Sequence, residues 1–244
     1  KSYALFKQRK DEGVIPKHVK FQVSLPGTLN ALGLFRLEFQ EEMDPQYEDA
    51  LYRSLQKIVD GTPHCELAVQ VDVASEFAFL ESADGVFFNC YLEPPLFPKI
   101  ISRLARLANR VPKDVELGFH LRYGDIGHRH FVEPKDVGLM VEVGNALHKC
   151  VQREIQWLHL PVPKERKDVE YFELLRGLKW EVPELYLGLV HEGDEEGTRE
   201  RIAAAGKVLG EREFGVATEC GMGRISSEDV EDIIKIMKTV SAEL

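Results

Sequence analysis

The chain has 244 residues, enough for one large α/β domain whose core needs no disulfide or metal staple. Its hydrophobic fraction of 44% and charged fraction of 30% are ordinary for a globular protein. A formal charge of −10 argues against nucleic acid as a partner, and no apolar run nears the roughly 20 residues that cross a bilayer.

The N-terminus carries no signal-peptide pattern, so the expected location is the cytoplasm. The chain opens on Lys1 rather than methionine, and 2–12 already reads as a helix. Six β-like runs then follow, each ahead of a stretch with helical period. They are Lys20–Leu25, Leu67–Ala74, Glu116–Arg122, Ile155–Leu160, Leu185–His191 and Glu213–Glu219. Each is rich in Val, Ile, Leu, Phe or Tyr and stops at Pro, Gly or a polar residue. Between them, Ile100, Leu104, Leu107 and Ala108 mark one apolar helical stripe, and Ile233, Ile236, Met237 and Val240 mark another. Ser227, with Glu228 and Asp229 behind it, is the expected start of the last helix.

Strand–helix alternation implies parallel strands with right-handed crossovers. Gly-x-Gly-x-x-Gly and the P-loop are both absent, which favours a (β/α)8 TIM-type barrel over an open nucleotide-binding sheet. Six units are visible, so the first one or two are expected to be missing from this chain. No Gly/Ser-rich linker interrupts 1–244, and a single barrel domain is expected. None of Cys65, Cys90, Cys150 and Cys220 forms a Cys-x-x-Cys pair, so reduced thiols are expected.

Side chains alternate across a strand. Leu117, Phe119 and Leu121 share the face that packs on helices, which turns His120 and Arg122 inward. The same count turns Gln70 and Asp72 inward on the second run, and Gln22 and Ser24 on the first. Ionisable groups are costly to bury without a partner, so Asp72, His120 and Arg122 together point to an active site at the C-terminal mouth, where barrel enzymes keep their chemistry. His159, His191 and the pair Glu219-Cys220 end three later runs and are expected around the same pocket. Cys220, beside cationic groups, is expected to be the most reactive thiol. The loop from Tyr123 through Asp125 to His130 is polar and glycine-containing, as a substrate-facing loop should be, although its histidines also suit a plain surface.

His120-Leu-Arg-Tyr-Gly-Asp125 and Ala217-Thr-Glu-Cys-Gly-Met-Gly-Arg224 resemble the catalytic barrel of cobalamin-independent methionine synthase, within the superfamily that joins it to uroporphyrinogen decarboxylase. The resemblance runs in order through all six units. It implies a methyl or alkyl transferase acting on a thiol substrate, with zinc as cofactor, no nucleotide cofactor, and His120, His159 and Cys220 as the metal ligands. It further implies that Asp72 holds a substrate amino group. His120, Asp72 and His191 are then the candidate catalytic residues. Gln22, Ser24, Asp72, Arg122, Tyr123, Asp125 and Glu219 are the candidate substrate contacts. The family's second cysteine ligand is Arg122 here, and arginine ligates no metal. On this reading Arg122 turns aside to Asp125, Asp72 or a substrate carboxylate.

A metal-free decarboxylase or lyase anchoring a carboxylate on Arg122 is the alternative, and a barrel without catalysis is the third. The expected partner is a small molecule, with no nucleic acid and no membrane; the oligomeric state is open.

Overall fold

The fold comes from a computed structural model that describes residues 1–33, 35–81, 90–124, 130, 132–223 and 225–242. Helix α1 (Ser2–Asp11) leads into strand β1 (Phe21–Pro26), a short α2 (Thr28–Leu32) and a long α3 (Leu37–Gly61). Strand β2 (Leu67–Val73) follows, with α4 (Ser75–Glu81) and α5 (Leu96–Ala108) behind it. Strands β3 (Glu116–Leu121), β4 (Trp157–Pro161) and β5 (Glu184–Val190) alternate with α6 (Gly138–Cys150), α7 (Val169–Phe172) and α8 (Glu195–Leu209). Strand β6 (Gly215–Thr218) and α9 (Ser227–Ser241) complete the series.

The six strands form one parallel sheet in the order β1-β2-β3-β4-β5-β6. Strand order never reverses, so the sheet has no switch point of the kind that defines doubly wound folds. Inward side chains from the first strand to the last line one cavity, so the sheet curls as a barrel wall does. No hydrogen-bonded ladder joins β1 to β6 among the described residues.

Alternation places the core. Leu67, Val69, Val71 and Val73 on β2, and Leu117, Phe119 and Leu121 on β3, are fully buried against the helices. From α5, Ile100, Leu104, Leu107 and Ala108 meet them along one stripe, as the helical period requires. On the inner side, Trp157 lies across Gly118, where a Cβ would come within 1.9 Å of the indole ring. The last helix begins at Ser227 as the sequence suggests, with Ser226 just ahead of it as N-cap, its hydroxyl accepting from the Asp229 N–H at 3.1 Å. Among the described residues no helix is long and apolar enough to cross a membrane.

Candidate active site

Two cavities meet at the C-terminal ends of the strands. The inner one, about 650 Å3, is lined by Gln22, Ser24, Asp72, His120, Arg122, His159 and Cys220, among others. The outer one, about 690 Å3, opens at the mouth and includes His191, Glu219, His130 and an apolar wall of Met222, Ile225 and Ile233. Arg122, Thr218, Cys220 and Gly221 line both and form the passage between them.

Asp72 and His120 are register partners across β2 and β3. The Gln70 amide fixes the Asp72 carboxylate: Nε2 donates to Oδ1 at 2.8 Å, while Oε1 accepts from Trp157 Nε1 at 3.2 Å. The main chain of Asp72 is tied to the neighbouring loop, because its carbonyl accepts from Gly27 N at 2.7 Å and Asn30 Nδ2 at 2.8 Å. Burial raises the Asp72 pKa, against the lowering effects of the Gln70 bond and the Arg122 charge.

The two inner histidines stand edge to face with ring centroids 4.1 Å apart. Both are neutral. Burial, then the neighbouring His159, then the Arg122 charge hold the His120 pKa well below the usual imidazole value. Burial takes His159 down to about 4, although its Nε2 lies 3.0 Å from the Thr218 carbonyl and donates to it. His120 is 5% exposed, and its Nε2 has no hydrogen-bond partner among the described residues.

Of the carboxylates expected to pair with Arg122, Asp72 forms no ion pair with it among the described residues, and Asp125 lies outside them. Arg122 Nη1 donates to Cys220 Sγ at 3.3 Å across the cavity, and its buried Nε has no partner among the described residues. Among the described residues neither Asp72 nor Arg122 forms an ion pair with another side chain.

His191 belongs to the outer cavity rather than the inner one. Its Nε2 donates to the Val162 carbonyl at 2.9 Å, and burial, followed by the Arg201 charge, takes its pKa down to about 4. Glu219 lines the same cavity and pairs with His130 Nε2 at 2.9 Å, while His130 Nδ1 meets Glu133 at 3.0 Å. Burial opposes the His130 charge, but Glu219 and Glu133 outweigh it and lift the pKa to about 9. His130 is therefore a fixed imidazolium on the mouth and not surface decoration. Glu133, three residues on, is a local partner, but Glu219 comes from the end of another strand and is not visible beside His130 in the sequence.

Tyr123 is a correction. It is 1% exposed, its ring lies 4.9 Å from Phe77, and its hydroxyl donates to Glu81 at 3.1 Å. It faces the helix layer and lines neither cavity. Asp125, and with it His128 and Arg224, lies outside the described residues.

The zinc set expected from His120, His159 and Cys220 does not fit as arranged. His159 Nε2 is committed to Thr218 and Cys220 takes a hydrogen bond from a permanent cation, while His120 Nε2 has no partner among the described residues. Among the described residues no three His, Cys, Asp or Glu side chains are grouped to hold a metal ion.

The chain is similar to a putative vitamin-B12-independent methionine synthase from Listeria monocytogenes, with a TM-score of 0.56 and 17% identity over 94% of this chain. A second similar structure is a B12-independent methionine synthase from Shewanella sp. W3-18-1 in complex with selenomethionine, with a TM-score of 0.58 and 17% identity over 92% of this chain. The fold is that of the B12-independent methionine synthase barrel. The chain spans 64% and 63% of the lengths of those two structures. At this identity the likeness is one of fold. No protein-family model matches the sequence, and no curated protein does.

Proposed function

We propose that the chain forms the site of a small-molecule transferase that moves an alkyl group to the thiol of an amino-acid substrate. One observation carries this reading. A carboxylate, Asp72, and a guanidinium, Arg122, stand on neighbouring strands and face one cavity, and neither is paired with another charged side chain among the described residues. Fixed charges of both signs in a partly buried pocket await a ligand that carries both. A zwitterionic amino acid supplies them, with its ammonium on Asp72 and its carboxylate on Arg122. Gln70 would orient Asp72 for that contact, and the buried acceptor His120 Nε2 would take a second ammonium proton. Selenomethionine, bound by the Shewanella protein, is a ligand of this type.

In the proposed reaction the substrate sulfur attacks the alkyl carbon of a donor lodged in the outer cavity. The new C–S bond forms as the donor's bond to that carbon breaks, and the thiol proton leaves to solvent through the mouth. Asp72 and Arg122 hold the two ends of the amino acid and set where its sulfur lies, which is the orientational part of catalysis. Neutral His191 faces the outer cavity and would contact the donor.

The raised pKa of Asp72 favours a second reading. A carboxyl group whose pKa burial raises, beside a carboxylate anchor, suits a metal-free decarboxylase, with Asp72 as proton donor and Arg122 as anchor.

Calorimetric titration with methionine and homocysteine tests the binding reading. Asp72→Asn and Arg122→Gln should each weaken both ligands by about tenfold to a hundredfold, the usual range for one charge-assisted contact. Unchanged affinity in both variants would remove the basis for the assignment.

A further inference from the structure

We propose that Arg122 is a resident cation in the place of a divalent metal, so that the pocket holds the anionic group of its ligand on a guanidinium and takes no zinc. The carboxylate contact at Arg122 is shared with the reading above, but the proposal does not depend on the ammonium contact at Asp72. Arg122 follows His120 by two residues and faces the same cavity, while its Nη1 reaches Cys220 Sγ at 3.3 Å from the far end of the sheet. The guanidinium therefore bridges β3 and the end of β6, the span that an ion shared by His120 and Cys220 would have to bridge. Two buried polar atoms at the site have no partner among the described residues: His120 Nε2, on a side chain 5% exposed, and the Nε of the guanidinium itself. One is on a neutral imidazole and the other is an N–H donor, so together they suit a ligand that offers both an acceptor and a donor.

Charge decides between the two kinds of cation. Arginine keeps its proton at every accessible pH, so its repulsion of a second cation cannot be relieved by titration. Among the described residues no carboxylate forms an ion pair with Arg122, although its charge reaches Asp72 and Glu76, so its donors remain available to an anionic ligand group. A planar guanidinium also offers a carboxylate two parallel donors, which a metal ion does not.

Zinc titration of the wild-type chain by calorimetry, with metal content read by elemental analysis, should show no stoichiometric binding. Arg122→Cys removes the cation and adds a thiolate ligand; it should acquire about one zinc per chain, and Cys220→Ala in that background should abolish it. Propionate, a carboxylate without an ammonium, should raise the melting temperature of the wild type, less so at high salt, and Arg122→Gln should lose the effect. Stoichiometric zinc in the wild type that disappears in Cys220→Ala would overturn the proposal. So would a folded Arg122→Cys variant that binds no zinc, or an unaltered propionate response in Arg122→Gln. If Arg122→Cys does not fold, the wild-type titration and the propionate pair still decide. If the amino-acid reading fails at Asp72, propionate binding survives, and the two failures are told apart.

Discussion

His130 owes its charge to two carboxylates from different parts of the chain, Glu133 at 3.0 Å and Glu219 at 2.9 Å. Its folded pKa of about 9 lies above the ordinary imidazole value, so its contribution to stability is complete below about pH 6.5 and is lost as pH rises through 9. His159 has the opposite sign. Its folded pKa of about 4 lies below the ordinary value, so the unfolded chain binds the extra proton first and stability falls as pH drops from about 6.5 towards 4. Denaturant midpoints across pH 4 to 10 check both: His130→Gln should flatten the alkaline limb and leave the acid limb. A wild-type alkaline limb that persists in His130→Gln would contradict the assignment. At the same scale, the guanidinium beside Cys220 favours thiolate chemistry. At pH 7 iodoacetamide should label Cys220 roughly tenfold faster than Cys65 and Cys150, because an ordinary thiol is only a few per cent thiolate there. Both of those cysteines are more exposed than Cys220, so equal or slower labelling of Cys220 would count against the contact.

At the scale of elements, inner and outer faces decide what each strand does. Gly118 leaves room on β3 for the Trp157 indole, whose Nε1 holds Gln70, which in turn holds Asp72. Gly118→Ala should cost about 1–3 kcal/mol through overpacking and blue- or red-shift tryptophan emission as the ring moves, read by chemical denaturation and fluorescence. An unchanged midpoint would show that the ring is free to yield. On the outer layer Leu104 is fully buried, and Leu104→Ala should cost about 2–5 kcal/mol while leaving ligand affinity intact. The outer faces were legible because strict alternation of Val and Leu with polar residues allows only one orientation on β2 and β3. Continued one residue past β3, the same alternation puts Tyr123 with Leu121 on the helix side; the motif around it, not its position, suggested a substrate contact. The ends of β4, β5 and β6 differ from the apolar runs by one or two residues, since pairing with neighbours sets where a ladder stops.

For the whole molecule, the alternation of strands and helices was enough to indicate barrel order, and the structure has the six strands in that order. Which polar ends would touch was not legible. Arg122 and Cys220 are 98 positions apart, and their contact depends on how far the sheet curls, which no local pattern records. The same applies to the Glu219–His130 pair, which fastens the segment after β3 to the end of β6. Seen together, the part of the inner cavity nearest the mouth brings together Asp72, Arg122, the neutral His120 and His159, and a sulfur that accepts a hydrogen bond from arginine. The direct test is calorimetry of the wild-type chain with methionine, with 3-(methylthio)propylamine, which lacks the carboxylate, and with 4-(methylthio)butanoate, which lacks the ammonium, all in the presence of a chelator. Methionine should bind, and each analogue should bind at least about tenfold more weakly, the loss of one charge-assisted contact. Methionine binding that needs added zinc, or that is matched by both analogues, would contradict the account.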